Sequence, residues 1–301
     1  MNSARIYLIL IRPNYMLLPP VCVLAGVAAS YSVLGTINVT NLVLALIGAL
    51  LAHGSVNILN TYFDYKSGID FHTEKTPFSG GSSVLVSGLL DAKKALIFGL
   101  ATMAAVFCIG VYFFIQYSWT ILPIGLGGLV LIYAYTPYIT KIPILTEMLG
   151  AGLGFGLITL GTYFTQTGGY GTEGIYASVV VGLLVANLLL LNEFPDVEAD
   201  LINNRKHLPI VIGRSKSAVV YCLITAAAYV VLLISVTVGG VSWLALLGLT
   251  TLPLGIKAMR GVLKYNSNTA KLLPSLSVNV MVVLLTPLLM GIGIIIAKAV
   301  S

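Results

Sequence analysis

Charge is what this 301-residue chain has least of: 9% of its residues are Asp, Glu, Lys or Arg, against roughly 25% in soluble globular domains. Too few charges remain to solvate a surface on all sides. Thiols are almost as scarce. Cys22, Cys108 and Cys222 all sit inside apolar runs with no C-x-x-C spacing, which excludes a disulfide framework and a thiolate metal site and leaves three small buried hydrophobes. Long polar segments are missing too. No stretch between apolar runs exceeds about 30 residues, so there is no room for a separate soluble domain.

What is present is grease. Hydrophobic residues make up 58% of the chain, and its mean hydropathy is +0.99. Runs of about 20 apolar residues, enough to cross a bilayer as a helix, recur throughout. They predict spans at 14–31, 42–63, 95–115, 119–136, 146–164, 176–194, 217–238, 241–258 and 274–297. Backbone groups in lipid must be satisfied within the segment, so the expected fold is all-α: a polytopic bundle of nine transmembrane helices. The first run follows Arg5 and Arg12 as a signal peptide would. Its length and the Pro19–Pro20 pair inside it argue for a retained span.

Basic residues support this count. With nine spans, 15 of the 16 Lys and Arg share the side of the N-terminus, and only Lys298 lies opposite. The positive-inside rule makes that side cytoplasmic in a multi-pass protein of the cell membrane. The net charge of +6 then reflects orientation, and no nucleic-acid partner is needed to explain it. Nine of the ten acids fall on the same side, Glu173 excepted. Carboxylates contribute little to orientation, so they need another reason.

Two long cytoplasmic loops, 64–94 and 195–216, each follow an even-numbered span and open with a series of Asn and Asp. His53, Asn57, Asn60 and Asp64 recur at helical spacing, with Asp70 six residues further on. Asn192, Asp196 and Asp200 recur every four residues. Positions i and i+4 share a helix face, so each series is expected to form a stripe running off a helix end. The stripes suggest one domain, 1–301, with pseudo-repeat halves of about 1–140 and 141–301. Such repeats often place a site between the halves.

Either the acids are polar helix ends paired with nearby Lys, or they face a shared cavity. Two stripes with matched Asn-x-x-x-Asp spacing favour the cavity, since ionisable groups at membrane depth are costly and usually functional. Carboxylates facing one another require a cation. Oxygen-only donors suit Mg²⁺, which is typically held by a few carboxylates together with the phosphates of a substrate. In a bilayer, that substrate is expected to be a phosphorylated lipid. Lys75, Lys141, Arg205 and Lys206 could meet its phosphate oxygens, or be orientation charges only. Tyr138, with Tyr133, Tyr135, Phe155 and Tyr163, could line an apolar pocket or anchor helix ends at the interface. "GAGLGFG" at 150–156 reads as a helix-packing stripe.

"NILNTYFDYKSGID" (57–70) with "NEFPDVEAD" (192–200) resembles the two Asp-rich motifs of the UbiA-type intramembrane prenyltransferases. The resemblance is strongest to the branch that prenylates 1,4-dihydroxy-2-naphthoate in menaquinone biosynthesis. "GGSSVLVSGLL", "YAYTPYITK", "GFGLITLGTYFTQTG" and "LPIVIGR" are similar to that branch as well, and the likeness runs from about Arg12 to Arg214. Thr61 stands where the branch usually has Asp, and His207 where Thr is common.

The resemblance implies a central membrane-embedded cavity open to lipid. It also implies Mg²⁺-assisted loss of diphosphate from an allylic prenyl diphosphate and attack by a lipophilic aromatic acceptor. Asn60, Asp64 and Asp70 would form one metal–diphosphate set and Asn192, Asp196 and Asp200 the other, the four carboxylates being catalytic. Asn57, Arg12, Lys75, Tyr138, Lys141 and Lys206 are the candidate substrate contacts. No obligatory protein partner is implied. Two other readings fit the composition: prenyl transfer to a non-aromatic lipid such as a prenylglyceryl phosphate, and a cation-coupled transporter. The signature D-G-x-x-A-R of the CDP-alcohol phosphotransferases is absent.

Overall fold

The computed structural model describes residues 3–73, 76 and 81–300. Among them there are helices and turns but no strand. A short α1 (Ser3–Ile11) leads into α2 (Leu18–Leu34) and the long α3 (Val39–Ser67). After the first polar loop come α4 (Ala92–Tyr117) and α5 (Leu122–Ala134). A π-turn, Thr146–Leu153, runs directly into α6 (Gly154–Thr167), and α7 (Thr172–Asn192) follows. The second polar loop holds α8 (Val197–Ile202) and α9 (Leu208–Val211). The chain ends with α10 (Arg214–Thr237), a 3₁₀ segment Trp243–Thr251, α11 (Leu252–Tyr265) and α12 (Thr269–Ala299).

Eight helical stretches among the described residues are long and apolar enough to cross a membrane, not nine. The difference lies at 92–134, a single continuous helical stretch of 43 residues. The expected third and fourth spans are both in it, joined by a 3₁₀ turn at Ser118–Ile121 in which Ser118 takes a φ of 59°. The two legs run in opposite directions. Gly99 on α4 accepts the Ser55 hydroxyl and Tyr133 on α5 meets Phe63, while Phe113 and Ile121 share a cluster at the other end. At 13 residues, α5 is shorter than a full span.

Small residues set how closely the helices approach. A Cβ on Gly26 of α2 would collide with the Thr159 carbonyl on α6, and Thr159 donates its hydroxyl to the Cys22 carbonyl at 3.2 Å. In the Gly-rich stretch 150–156, Gly152 packs so tightly on α7 that a Cβ on Gly182 would lie 2.9 Å from its carbonyl. That stretch therefore brings α6 and α7 together, as small-residue seams do in membranes. Buried polar side chains then bridge helices: Asn187 donates to the Tyr221 carbonyl and to Thr225, and Tyr221 donates to Asn279. The resulting core of α2, α6, α7, α10 and α12 is the frame on which the two polar loops sit. Ile97 and Ile115 on α4 point outward, exposed, as a lipid-facing surface requires.

Candidate active site

The first Asn–Asp series keeps its register because α3 continues without a break to Ser67, where Gly68 at φ 86° ends it. Asn57, Asn60 and Asp64 thus share one face, and Asp64 is buried. Asn60 donates to Asp64 Oδ2 at 2.9 Å and accepts from Arg12 Nη2 at 3.0 Å. Arg12 stands between α1 and the next turn in the left-handed region, at φ 58°. Few residues with a side chain adopt that conformation, and such outliers gather at functional sites. Asn57 turns its amide to the Ile11 carbonyl instead.

The second series is not the continuous stripe that its spacing suggests. α7 ends at Asn192, a turn occupies 193–196, and α8 begins at Val197. Pro195 supplies the reason, since it has no N–H to donate to the previous turn. The turn is short, however, and the Asp200 amide still bonds the Asp196 carbonyl at 2.9 Å. Asn192, Asp196 and Asp200 therefore all reach the same place.

That place is the polar end of a cavity of about 770 Å³, whose wall includes Arg12, Asn57, Asn60 and Asp64 from one half and Asn192, Asp196, Asp200 and Arg205 from the other. From there the cavity follows α3 back to Leu44, twenty residues or about 30 Å of helix. Along this length the wall is apolar, with Gly48, Val106, Phe113, Leu129 and Ile158 among its residues. His53 also faces it, edge-on to Phe155 at 5.3 Å between centroids. One end can hold a charged headgroup and the rest a hydrocarbon chain.

Arg205 closes the polar end. Asn204 at φ 57° turns the chain so that Arg205 Nη2 pairs with Asp64 while Nη1 lies 3.4 Å from Asp200 Oδ1. Burial opposes its charge, but Asp64 and Asp200 outweigh that and raise the guanidinium's pKa above its ordinary value. Behind Asp200 stands His207. Burial would push its imidazole down, yet Glu193 and Asp200, one at each ring nitrogen, push it up to about 10.

The other expected contacts lie elsewhere. Asp70 is buried under Gly81, whose φ of 65° and missing Cβ let the loop come down on the carboxylate; it does not line the main cavity. Lys141 lines an adjoining space of about 250 Å³ that shares Asp64 and Arg205 with the cavity. Tyr138 and Lys206 are exposed and line neither. Lys75, and residues 77–80 of the Gly/Ser turn, are outside the described residues. Glu147 and Glu193 are site-proximal acids that spacing did not single out. Their signal was rarity alone, two of ten carboxylates at the ends of apolar runs.

The donors fit a hard divalent cation. They are carboxylate and amide oxygens, and Asn192 Oδ1 is buried at the cavity wall with no hydrogen-bond partner. Asn and Asp oxygens from both series thus gather at one end of an apolar, helix-walled cavity. The chain belongs to the UbiA prenyltransferase family, whose model matches residues 18–294. It is 29% identical over 212 residues to a 1,4-dihydroxy-2-naphthoate octaprenyltransferase of Bacillus subtilis, covering 69% of this chain and 66% of that one. A protein of the same name from Haemophilus influenzae is 27% identical, over 85% of this chain and 84% of its own. Among solved structures, a UbiA homolog from Aeropyrum pernix superposes with a TM-score of 0.73 at 17% identity, over 95% of this chain and 98% of that one. A UbiA homolog from Archaeoglobus fulgidus bound to DMAPP and Mg²⁺ does so at 0.61 and 14%, over 96% and 98%.

Proposed function

We propose that this protein transfers a polyprenyl group from an allylic prenyl diphosphate to an aromatic quinone precursor of the 1,4-dihydroxy-2-naphthoate type, releasing diphosphate. The observation that carries the reading is the shape of the cavity: two Asn–Asp sets at one end, and an apolar trough of about 30 Å beyond them. The naphthoate-specific part rests on the two relatives of that name.

Asn60 and Asp64 would hold Mg²⁺ on one side and Asn192, Asp196 and Asp200 on the other, whereas Asp70, under Gly81 and off the main cavity, is not placed to join them there. A metal held there would supply the positive charge that offsets the diphosphate as it leaves. Arg12 and Arg205, already at the polar end, donate to the remaining diphosphate oxygens. The apolar wall excludes water from the allylic centre, and the rings of Tyr135 and Phe155 face positive charge as it develops there. The carbon–oxygen bond to diphosphate breaks, a carbon–carbon bond to the electron-rich ring forms, and the attacked ring carbon then loses a proton or, where it carries the carboxylate, CO₂ to restore aromaticity. On this reading the N-terminus and both Asp-bearing loops are cytoplasmic.

The test is product formation by the purified protein in lipid nanodiscs, with labelled geranylgeranyl diphosphate, Mg²⁺ and a panel of acceptors. Prenylated naphthoquinol is the expected product, and excess EDTA should abolish it. Product only on a prenylglyceryl phosphate would overturn the aromatic assignment. Cation flux without any product would overturn the enzyme reading.

A further inference from the structure

Behind the second Asn–Asp set lies a buried chain of charged groups that the proposed chemistry does not use. His207 Nε2 is 3.0 Å from Asp200 Oδ2, and its Nδ1 is 2.8 Å from Glu193 Oε1. Glu147 comes next: one ligand atom from each of Glu147, Glu193 and His207 lies within 4.8 Å of the others. Glu147 Oε1 also accepts the Leu208 amide at 2.9 Å. Glu147 is fully buried, and His207 and Glu193 nearly so. Asp200, Glu193 and His207 line the cavity, but Glu147 does not. The series therefore runs from the cavity wall into the protein.

Three separate segments meet in it: the π-turn before α6, the turn after α7, and the end of the second loop. An aspartate on a six-residue helix such as α8 has little rigidity of its own. A carboxylate with one oxygen 3.0 Å from an imidazole, whose other nitrogen is 2.8 Å from Glu193 with Glu147 close by, cannot rotate freely.

We infer that His207, backed by Glu193 and Glu147, is a positioning residue that holds Asp200 in the orientation in which it ligates the metal. The inference rests on the proposed role of Asp200 as a metal ligand. Groups that orient a ligand in this way typically contribute 10- to 100-fold in metal affinity. The same arrangement explains why His207 is buried between two acids: an imidazolium alone there would be costly, and Glu193 and Asp200 compensate it from either side.

The experiment is Mn²⁺ binding to the detergent-solubilised full chain, read from the electron paramagnetic resonance of free Mn²⁺, with the Mg²⁺ dependence of turnover measured in parallel. For His207→Gln the expected result is about 10-fold or more weaker Mn²⁺ affinity, with unchanged stoichiometry. The Mg²⁺ concentration for half-maximal rate should rise correspondingly, and kcat should recover at saturating Mg²⁺. Glu193→Gln should shift both quantities the same way by less, and it serves alone if His207→Gln does not fold. Unchanged Mn²⁺ affinity in a folded variant overturns the inference. So does a loss of one Mn²⁺ equivalent in Glu147→Gln, because the cluster would then be a metal site in its own right. Asp200→Ala separates the two levels. If it leaves Mn²⁺ binding intact, the metal role of Asp200 itself is wrong. If it weakens binding and His207→Gln does not, only the positioning role is.

Discussion

Arg205 reaches Asp64 across 141 residues of sequence, and its other terminal nitrogen lies 3.4 Å from Asp200. One guanidinium thus joins the two carboxylate series and offsets a negative charge from each. A planar five-donor fork can do this and a lysine ammonium cannot, since the fork engages two carboxylates in fixed geometry. Removing one partner of a buried ion pair typically costs about 3–5 kcal/mol. Arg205→Ala should therefore lower the melting temperature of the metal-free protein clearly, with Arg205→Lys between it and wild type. Mg²⁺ should then raise the melting temperature of Arg205→Ala more than that of wild type, because it relieves a larger imbalance. Differential scanning fluorimetry with and without Mg²⁺ reads both effects, and an equal Mg²⁺ response in the two proteins would refute the shared-charge account.

Asp64 and Asp196 stand on opposite halves but line one cavity end. Asp64→Ala and Asp196→Ala should each lower single-turnover prenyl transfer by at least ~10²-fold, roughly 2.7 kcal/mol of barrier. The double variant should be little worse than either single one, as expected of groups that act as a unit. Lys66→Ala, on an exposed side chain two residues away, should cost far less. Fully additive losses would mean two independent sites.

His207 carries a pH signature. Its pKa is about 10 in the folded protein, against roughly 6.5 for an unperturbed histidine. The raised value means that protonation favours the folded state. The contribution is full below the unperturbed value and is lost as pH rises through about 10. The melting temperature of wild type should therefore fall towards that of His207→Gln between pH 7 and pH 10. Two parallel melting curves across that range would exclude a charged imidazole.

Orientation can be read by labelling. In a background lacking the three native cysteines, Lys93→Cys and Ser215→Cys should react with an impermeant maleimide only from the cytoplasmic face, and Tyr170→Cys only from outside. All three positions are exposed. Labelling of Lys93→Cys and Ser215→Cys from opposite faces would break the two-half site.

Close helix approach at Gly26 predicts a purely structural defect. Gly26→Val has no space beside the Thr159 carbonyl, and overpacking of this kind typically costs about 1–3 kcal/mol. A fall in folded yield and melting temperature is expected, with unchanged Mn²⁺ affinity in the protein that does fold. An unaffected melting temperature would show that α2 and α6 can separate without cost.

Chemistry alone settled a good deal here. Scarce charge and recurring apolar runs point to a helical membrane bundle, because lipid offers the backbone no partners and runs of about 20 residues match a helix rather than a barrel strand. The rarity of acids made each Asn-x-x-x-Asp series conspicuous, and helical spacing placed Asn57, Asn60 and Asp64 on one face. Spacing could not show that Pro195 breaks the second series, nor that the turn returns Asp196 and Asp200 to the same cavity. Nor could it select among the basic residues. Arg205 reaches both carboxylate series, whereas Lys206, its neighbour, is exposed and lines neither of the two cavities, just past the turn at the left-handed Asn204. Partners such as Glu147 and His207 are 60 residues apart, and their meeting depends on how the π-turn packs against α7. Local periodicity follows from covalent geometry and can be read along the chain, but which charges meet is decided only when the helices pack.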